Sequence, residues 1–163
     1  MNVGFFRHGP AVARGTEGVA EADRPLTAEG RKKTAQAAKG LRALDLGFDA
    51  IYTSPLPRAL ETAKILSDVL QLPAPSVLDG LSPSGSARRL LDGLRDLNGV
   101  APLLVGHEPL LSSAVLLAVC GASAGAIELK KAGLAVVELE VSSARARGML
   151  KLLLSGSALR KLG

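Results

Sequence analysis

The chain is poor in the residues that build disulfides and metal sites, with one cysteine and two histidines among 163 residues. A single cysteine excludes an internal disulfide and fits a reducing compartment. Because Cys120 lies in the apolar run over residues 114–120, we expect it to be a small buried residue and not a nucleophile. A structural zinc site normally takes four cysteine or histidine ligands, and too few are available here.

Aromatic residues are also scarce, with one tyrosine, three phenylalanines and no tryptophan. The core must therefore consist mainly of leucine, valine, isoleucine and alanine. Proteins that bind nucleic acid often stack bases on aromatic side chains, and the sequence has no recognition-helix or zinc-finger spacing either. We expect no nucleic acid partner. The formal net charge of +5 is either an ordinary solvated basic surface or a feature that attracts acidic or phosphorylated partners.

Long hydrophobic runs are absent, and no apolar stretch approaches the length of about 18 residues that a membrane-spanning helix needs. Arg7 and His8 interrupt the N-terminal run, which therefore lacks the order of a signal peptide. We expect a soluble cytoplasmic protein without a membrane partner. The length favours one domain over residues 1–163, in which we expect residues 155–163 to form a loosely ordered tail. We also expect a monomer.

What the sequence does contain is a series of short apolar runs that end abruptly in glycine, proline or polar residues. Such runs predict buried strands that open into loops. Four of them cover residues 2–6, 49–53, 74–78 and 102–106. Two further runs, at residues 134–140 and 149–154, predict a hairpin at the edge of the sheet, joined through residues 142–148.

Four helices are predicted between these strands from apolar positions at helical spacing. The first begins after Thr27, which can cap free backbone amides, and ends before Gly47. The second begins at Pro57, since proline suits the first helical position. The third starts at Ser82, and the fourth covers residues 110–120. Strands that alternate with helices predict an α/β fold, a three-layer α/β/α sandwich with a mostly parallel central sheet.

Three predicted strands end in the same kind of side chain. Arg7 and His8 follow the first strand, Arg58 lies in the first turn of the helix after the second, and His107 follows the fourth. In an open parallel sheet, ligands bind beyond the carboxyl ends of the strands. Taken singly, each of these residues is more often structural than functional. Together, two guanidiniums, two imidazoles and helix-start amides would form a site for a compact dianion, above all phosphate.

The order of these motifs resembles the histidine phosphatase superfamily, and in particular its SixA-type phosphohistidine phosphatase branch. The resemblance covers residues 1 to about 140. It implies a phosphoglycerate mutase-like fold. The motifs that carry it are Arg7-His8-Gly9, Arg24-Pro-Leu-Thr27 with Gly30, Thr53-Ser-Pro-Leu-Pro-Arg58-Ala-Leu-Glu-Thr62-Ala63, and Val105-Gly-His107-Glu-Pro109.

The resemblance also implies a catalytic set. His8 would attack phosphorus and become transiently phosphorylated, while Arg7, Arg58 and His107 would bind the phosphoryl oxygens. An imidazole must be neutral at one nitrogen to attack. Converging positive charge offsets the charge on the equatorial oxygens, which is the main contribution that a protein makes to phosphoryl transfer.

Two neighbours of these residues, Gly9 and Glu108, are further candidates for contact with the substrate. Glu108 has an alternative role, since an acidic residue near a helix start stabilises the helix. The sequence has no Walker loop and no carboxylate cluster at metal-ligand spacing. We therefore expect no metal and no cofactor.

The residue that would protonate the leaving group is not evident. Many larger relatives carry an acidic residue after the third strand, where residues 78–84 contain one candidate, Asp79. An alkoxide leaving group needs a proton, whereas a phosphorylated imidazole departs easily. The sequence therefore favours phosphohistidine or another labile phosphoramidate as substrate. The other candidate acids are Glu17, Glu21, Asp23 and Glu108.

The segment between the Arg58 helix and the fourth strand is too short for the extra helices that roof a small-molecule pocket. A shallow site would admit a phosphoryl group displayed on another protein, although residues 10–24 could act as a lid. We therefore expect a phosphatase that acts on phosphohistidine of a signalling or phosphotransfer protein.

Three alternatives remain. The first is the same mechanism on small phosphate esters, such as sugar or nucleotide phosphates, and the second is a non-catalytic module that binds phosphate or a phosphoprotein. The third, a mutase, fits less well because it must retain its substrate in an enclosed site.

Overall fold

One sheet of six strands forms the centre of the protein. The computed structural model describes residues 1–122, 127–140 and 147–163. The strands are β1 (Asn2–Arg7), β2 (Ala50–Thr53), β3 (Ser76–Val77), β4 (Pro102–Gly106), β5 (Leu134–Glu140) and β6 (Arg147–Leu154). Their order across the sheet is β3-β2-β4-β1-β5-β6.

The three strands predicted to carry the site lie next to one another and run in parallel. Arg7 at the end of β1 pairs with Gly106 at the end of β4, and Thr53 at the end of β2 pairs with Val105. The carboxyl ends of β1, β2 and β4 are therefore level at one edge. β5 and β6 are antiparallel to their neighbours, which confirms the mostly parallel sheet with a hairpin at its edge.

Helices cover both faces of the sheet. They are α1 (Ala28–Ala43), α2 (Pro57–Leu70), α3 (Ala87–Gly93), α4 (Leu110–Cys120) and the short α5 (Gly156–Leu159). Val3 and Phe5 of β1 pack in one core cluster with α3 and α4. Phe6, which points to the opposite face, packs in a second cluster with α1 and α2. The predicted three-layer sandwich is thus confirmed.

The ends of the first two helices follow the chemistry of their sequences. Thr27 caps α1, because its side-chain oxygen accepts a hydrogen bond of 2.9 Å from the amide of Gly30. Pro57 is the first residue of α2, where its missing amide hydrogen costs nothing. Arg58 therefore lies in the first turn, directly beyond the end of β2.

The third helix starts later than predicted. Ser82 belongs to a tight turn, in which its carbonyl accepts a hydrogen bond of 2.8 Å from the amide of Gly85. Ser86 is the residue that caps α3, by accepting from the amide of Arg89. The prediction of Ser82 as the cap was wrong because a serine four residues later offers the same cap after the turn. The third strand is also shorter than predicted, with two residues.

Two other predictions differ from the structure. Cys120 is exposed at the end of α4, since the helix turns its last residue away from the core. The chain end is a short helix in place of the loose tail expected over residues 155–163, because Leu159 is buried against α1.

Residues 142–146, most of the predicted hairpin connection, lie outside the described residues. Within the described residues, no helix is both long and apolar enough to cross a membrane.

Candidate active site

A cavity of about 330 Å³ opens at the carboxyl ends of β1, β2 and β4. It contains the four side chains that the sequence predicted to meet there, together with residues from the loop over positions 10–24 and from the turn before β5. The lining residues are Arg7, His8, Ala11, Val12, Ala13, Arg14, Arg24, Arg58, Pro83, His107, Glu108 and Lys131.

His8 is buried, with 7% of its surface exposed. Its Nδ1 lies 2.7 Å from the backbone carbonyl oxygen of Gly9. A carbonyl can only accept a hydrogen bond, so Nδ1 must carry the hydrogen. The neutral imidazole therefore has its lone pair on Nε2, and this nitrogen is free to act as a nucleophile.

Gly9 is held between two buried threonines. Its amide donates a hydrogen bond of 3.0 Å to the side-chain oxygen of Thr62, and that hydroxyl donates in turn to the carbonyl of Arg58 at 2.7 Å. A Cβ on Gly9 would lie 2.0 Å from the side-chain oxygen of Thr34. Only glycine therefore fits here, and Gly9 supports His8 from behind; its contact with a substrate stays a prediction.

Arg7 and Arg58 are each anchored by one guanidinium nitrogen. Nη1 of Arg7 donates to the carbonyl of Leu129 at 2.7 Å, and Nη1 of Arg58 donates to the carbonyl of Glu21 at 3.1 Å. Among the described residues, the buried side-chain nitrogen and oxygen atoms that lack a hydrogen-bond partner are the Nε atoms of these two arginines. Both guanidiniums line the same cavity, so an anion bound there would meet two cationic groups whose hydrogen-bonding capacity the protein itself fills only in part.

His107 completes the cluster at the end of β4. It is 2% exposed, and its Nε2 shares a hydrogen bond of 2.8 Å with the hydroxyl of Ser54. Its ring centre lies 5.0 Å from that of His8. The two imidazoles therefore face the same small volume.

Both imidazoles are neutral in this environment. The pKa of His8 is lowered to about 3, mainly by burial; the hydrogen bond to Gly9 raises the pKa, and the nearby His107, Arg58 and Arg7 lower it. Burial also lowers the pKa of His107 to about 3, with Arg58 as its strongest charged neighbour. Desolvation dominates because the charged form of each ring would lose its contact with water.

An ion pair in the loop supports Arg58 from behind. Glu21 binds Arg24 through two hydrogen bonds, from Nε at 2.9 Å and from Nη2 at 2.7 Å. Its carboxylate also lies 3.8 Å from Nη2 of Arg58. The hydrogen bond from Arg24 is the main reason that the pKa of Glu21 is lowered. Glu21 is thus an ionised structural partner, and its geometry does not suit the candidate role of proton donor.

Of the remaining candidate acids, one lines the cavity and three do not. Glu108 lines the cavity, but one of its oxygens accepts a hydrogen bond of 3.2 Å from the amide of Ser112 in the first turn of α4. Asp79, Glu17 and Asp23 are exposed and are not among the residues that line the cavity.

Sequence reasoning missed several residues of the site. Arg24 was named only within a motif of the family resemblance, with no role in the site, although it is buried and lines the cavity. Its position in the Arg-Pro-Leu-Thr motif was the signal that could have found it. Thr62 was named only within the motif around Arg58, with no role of its own. Arg14 and Lys131 have no local signal, because their place in the cavity depends on the tertiary fold.

Comparison with known proteins agrees with this geometry. The profile of the histidine phosphatase superfamily (branch 1) matches residues 3–82. Phosphohistidine phosphatase SixA of Escherichia coli strain K12 is 32% identical over 115 residues, which cover 68% of this chain and 70% of that protein. An uncharacterized protein of Picosynechococcus sp. strain PCC 7002 is 38% identical over 148 residues, covering 89% of this chain and 88% of that protein.

The fold comparison gives the same result. A solved structure of the protein histidine phosphatase SixA complexed with tungstate superposes with a TM-score of 0.81 and 26% identity, covering 98% of this chain and 99% of that chain. The phosphoglycerate mutase-like fold expected from the sequence is thus confirmed. The motifs, the fold and the relatives of the chain lead to the same conclusion: the chain belongs to the histidine phosphatase superfamily, as a SixA-like member.

Proposed function

We propose that the protein is a metal-independent phosphatase that works through a phosphohistidine on His8 and acts on phosphohistidine of a signalling or phosphotransfer protein. The observation that carries the proposal is that the guanidiniums of Arg7 and Arg58 line the same cavity as a histidine whose Nε2 has a free lone pair. Donors fixed before the substrate arrives need little rearrangement, which makes their stabilisation of developing charge effective.

In the first step, Nε2 of His8 attacks the phosphorus atom and the bond from phosphorus to the leaving nitrogen breaks. The leaving imidazole departs as a neutral ring when its other nitrogen is protonated. During the transfer, Arg7 and Arg58 bind the negative oxygens of the phosphoryl group, with His107 as a third contact. Nδ1 of His8 keeps its hydrogen throughout, and its bond to Gly9 stabilises the positive charge that the ring gains.

In the second step, water attacks the phosphorus atom of phosphorylated His8 and the bond from phosphorus to Nε2 breaks. Inorganic phosphate leaves, and His8 returns to its neutral form with the lone pair on Nε2. The same two guanidiniums stabilise this transfer, because they keep the phosphoryl group in place between the two steps. The water then attacks from the side that the leaving imidazole has vacated.

The shortage of free carboxylates favours a phosphoramidate over an ester. Among the described residues that line the cavity, Glu108 is the carboxylate, and it already binds the amide of Ser112. An ester would need a proton donor for its alkoxide, whereas a protonated imidazole leaves without one. The open mouth of the cavity supports the same substrate class, since a histidine on a protein surface must reach the nucleophile.

The test is to capture the intermediate. The protein is mixed briefly with phosphoramidate labelled with phosphorus-32 and quenched in alkali. We expect label on the protein that is stable to alkali and labile to acid, and that is absent in His8→Ala. Label that persists in His8→Ala would rule out the assignment of the nucleophile. His107→Asn is the matched control, because it keeps the nucleophile and should still be labelled, more slowly.

The substrate class needs a second measurement. Turnover of a phosphohistidine peptide is compared with turnover of sugar and nucleotide phosphates, all in the presence of a chelator. We expect kcat/KM for the peptide to exceed that for every ester. Efficient hydrolysis of an ester would favour the small-ester alternative, and tight binding of the phosphopeptide without release of phosphate would favour the non-catalytic one.

A further inference from the structure

Two exposed cations stand at the mouth of the cavity, and we call Arg14 and Lys131 the rim cations. Both line the cavity. The side chain of Arg14 is 80% exposed and lies 3.4 Å from the carboxylate of Glu21. Lys131 is exposed, and within the described part of the chain it has no carboxylate at ion-pair distance. The rim therefore carries positive charge that the protein does not fully neutralise.

The backbone fixes the position of Lys131. The amide of the next residue, Ala132, donates to the carbonyl oxygens of Arg7 at 3.1 Å and His8 at 3.2 Å. Ala132 adopts a φ of 55°, a conformation that L residues rarely adopt and that a tight turn here requires. The turn that carries Lys131 is thus bonded to the end of β1, directly beside the nucleophile.

The phosphoryl group does not require the rim cations. In the proposed function its oxygens are bound by Arg7 and Arg58, which both line the cavity. Another buried cation, Arg24, is already paired with Glu21. Because these inner groups supply the charge for a dianion, Arg14 and Lys131 face whatever surrounds the phosphoryl group on the substrate.

We propose that the rim cations bind acidic side chains that flank the phosphorylated residue of a protein substrate. This inference rests on the proposed function, and it adds the chemical character of the partner surface. Complementary charge on the partner would speed the encounter and orient the phosphorylated side chain towards His8. Since both cations are exposed, we expect the effect to weaken as salt increases.

The experiment uses two synthetic peptides with a central phosphohistidine. One has aspartate and glutamate on both sides of it, and the other has asparagine and glutamine at the same positions. The measured quantity is the ratio of kcat/KM for the acidic peptide to kcat/KM for the amide peptide, at low salt and near 0.5 M salt. Phosphoramidate is assayed in parallel as a substrate that has no flanking groups.

We expect a ratio of about five or more for the natural protein at low salt, because exposed ion pairs contribute up to about 1 kcal/mol each. At high salt we expect a ratio near one, because the ions screen these pairs. Lys131→Ala should lower the ratio by about three-fold, and Arg14→Ala should do the same. The matched control is Lys130→Ala, which removes the same charge from the neighbouring position outside the cavity. Lys130 pairs with Glu128, and its loss should leave the ratio as it was.

A ratio near one in the natural protein would overturn the inference, and so would an equal fall in Lys130→Ala and Lys131→Ala. If Lys131→Ala lowered kcat/KM equally for both peptides, this would also overturn the inference, because the lysine would then act on the phosphoryl group. The proposed function fails in a different way. Hydrolysis of phosphoramidate without hydrolysis of either peptide would reject the protein substrate, and absence of hydrolysis of all three would reject the phosphatase.

Discussion

The hydroxyl of Thr62 connects the backbone next to His8 with the backbone of Arg58. It accepts a hydrogen bond from the amide of Gly9 and donates one to the carbonyl of Arg58, while the carbonyl of Gly9 binds Nδ1 of His8. One buried side chain thus connects the peptide that fixes the histidine tautomer to the helix that carries an arginine. Thr62 is in this sense a positioning residue.

We predict that Thr62→Val destabilises the fold by about 1 to 3 kcal/mol, since the buried amide of Gly9 would lose its partner. It should also lower kcat/KM by about ten-fold, because the Gly9 carbonyl would no longer hold the ring of His8 in one tautomer. Thr62→Ser keeps the hydroxyl and should restore most of the activity. Nitrogen chemical shifts of His8 should show a mixture of tautomers in the valine variant and one tautomer in the serine variant. An unchanged tautomer in Thr62→Val would limit Thr62 to a packing role.

Arg58 offers a second prediction at this scale. Its guanidinium donates from Nη1 to the carbonyl of Glu21 and at the same time lines the cavity. An ammonium is a single point of charge and cannot keep both positions. We predict that Arg58→Lys lowers kcat by about a hundred-fold or more, as expected for the loss of one oxyanion donor. Arg31→Lys on the outer surface is the control, and an Arg58→Lys variant as active as this control would contradict the prediction.

The residues that the sequence identified are those with a local signal. Arg7, His8, Arg58 and His107 each follow an apolar run, and the edge of the sheet brings them together. Arg24 and Glu21 could not be placed in the same way, because their link to Arg58 spans 37 positions of the chain. Long-range contacts of this kind depend on the path of a loop, which no periodicity records.

At the scale of elements, α1 and α5 touch through a glycine. A Cβ on Gly40 would lie 1.8 Å from the carbonyl oxygen of Leu159. The close packing of the last helix therefore requires a residue without a side chain at this position. This contact explains why the chain end is ordered although its sequence has the composition of a loose tail.

We predict that Gly40→Ala destabilises the protein by at least about 1 kcal/mol, because the backbone of α5 must move to relieve the overlap. In an open helix position the same change would stabilise by up to about 1 kcal/mol. Gly93, the last residue of α3, has nothing within 4 Å of its Cβ site, and Gly93→Ala, which should not destabilise, is the control. Urea unfolding of both variants gives the comparison, and equal effects would disprove the close contact.

Elements were predicted best where the start and end signals are unique. The strand Pro102–Gly106 and the helix Leu110–Cys120 have the bounds expected from the sequence. The start of α3 was misplaced because Ser82 and Ser86 offer two possible caps, and the choice depends on how Gly85 packs. A Cβ on Gly85 would lie 2.3 Å from the carbonyl of Gly80, a contact that exists only in the folded chain.

At the scale of the whole molecule, the two buried imidazoles connect the site to acid stability. The pKa of His8 and that of His107 are both lowered to about 3, against about 6.5 in an unfolded chain. The unfolded state therefore binds more protons between these values, and the free energy of unfolding falls as the pH drops from 6.5 towards 3.

We predict that these two groups remove about 2 kcal/mol from the free energy of unfolding between pH 6.5 and pH 5.5. Urea titrations at both values should show this loss in the natural protein. The double variant His8→Gln, His107→Gln lacks the groups that titrate, so its free energy of unfolding should change less over the same interval. Equal changes in the two proteins would mean that other groups determine the acid sensitivity.

The hydrogen bond from Nδ1 of His8 to the carbonyl of Gly9 has one more consequence. Because that nitrogen is already occupied, covalent modification of the ring during turnover is confined to the far nitrogen. The trapped intermediate should therefore be the tele isomer of phosphohistidine. An antibody specific for that isomer should recognise the trapped enzyme, while an antibody against the pros isomer should not.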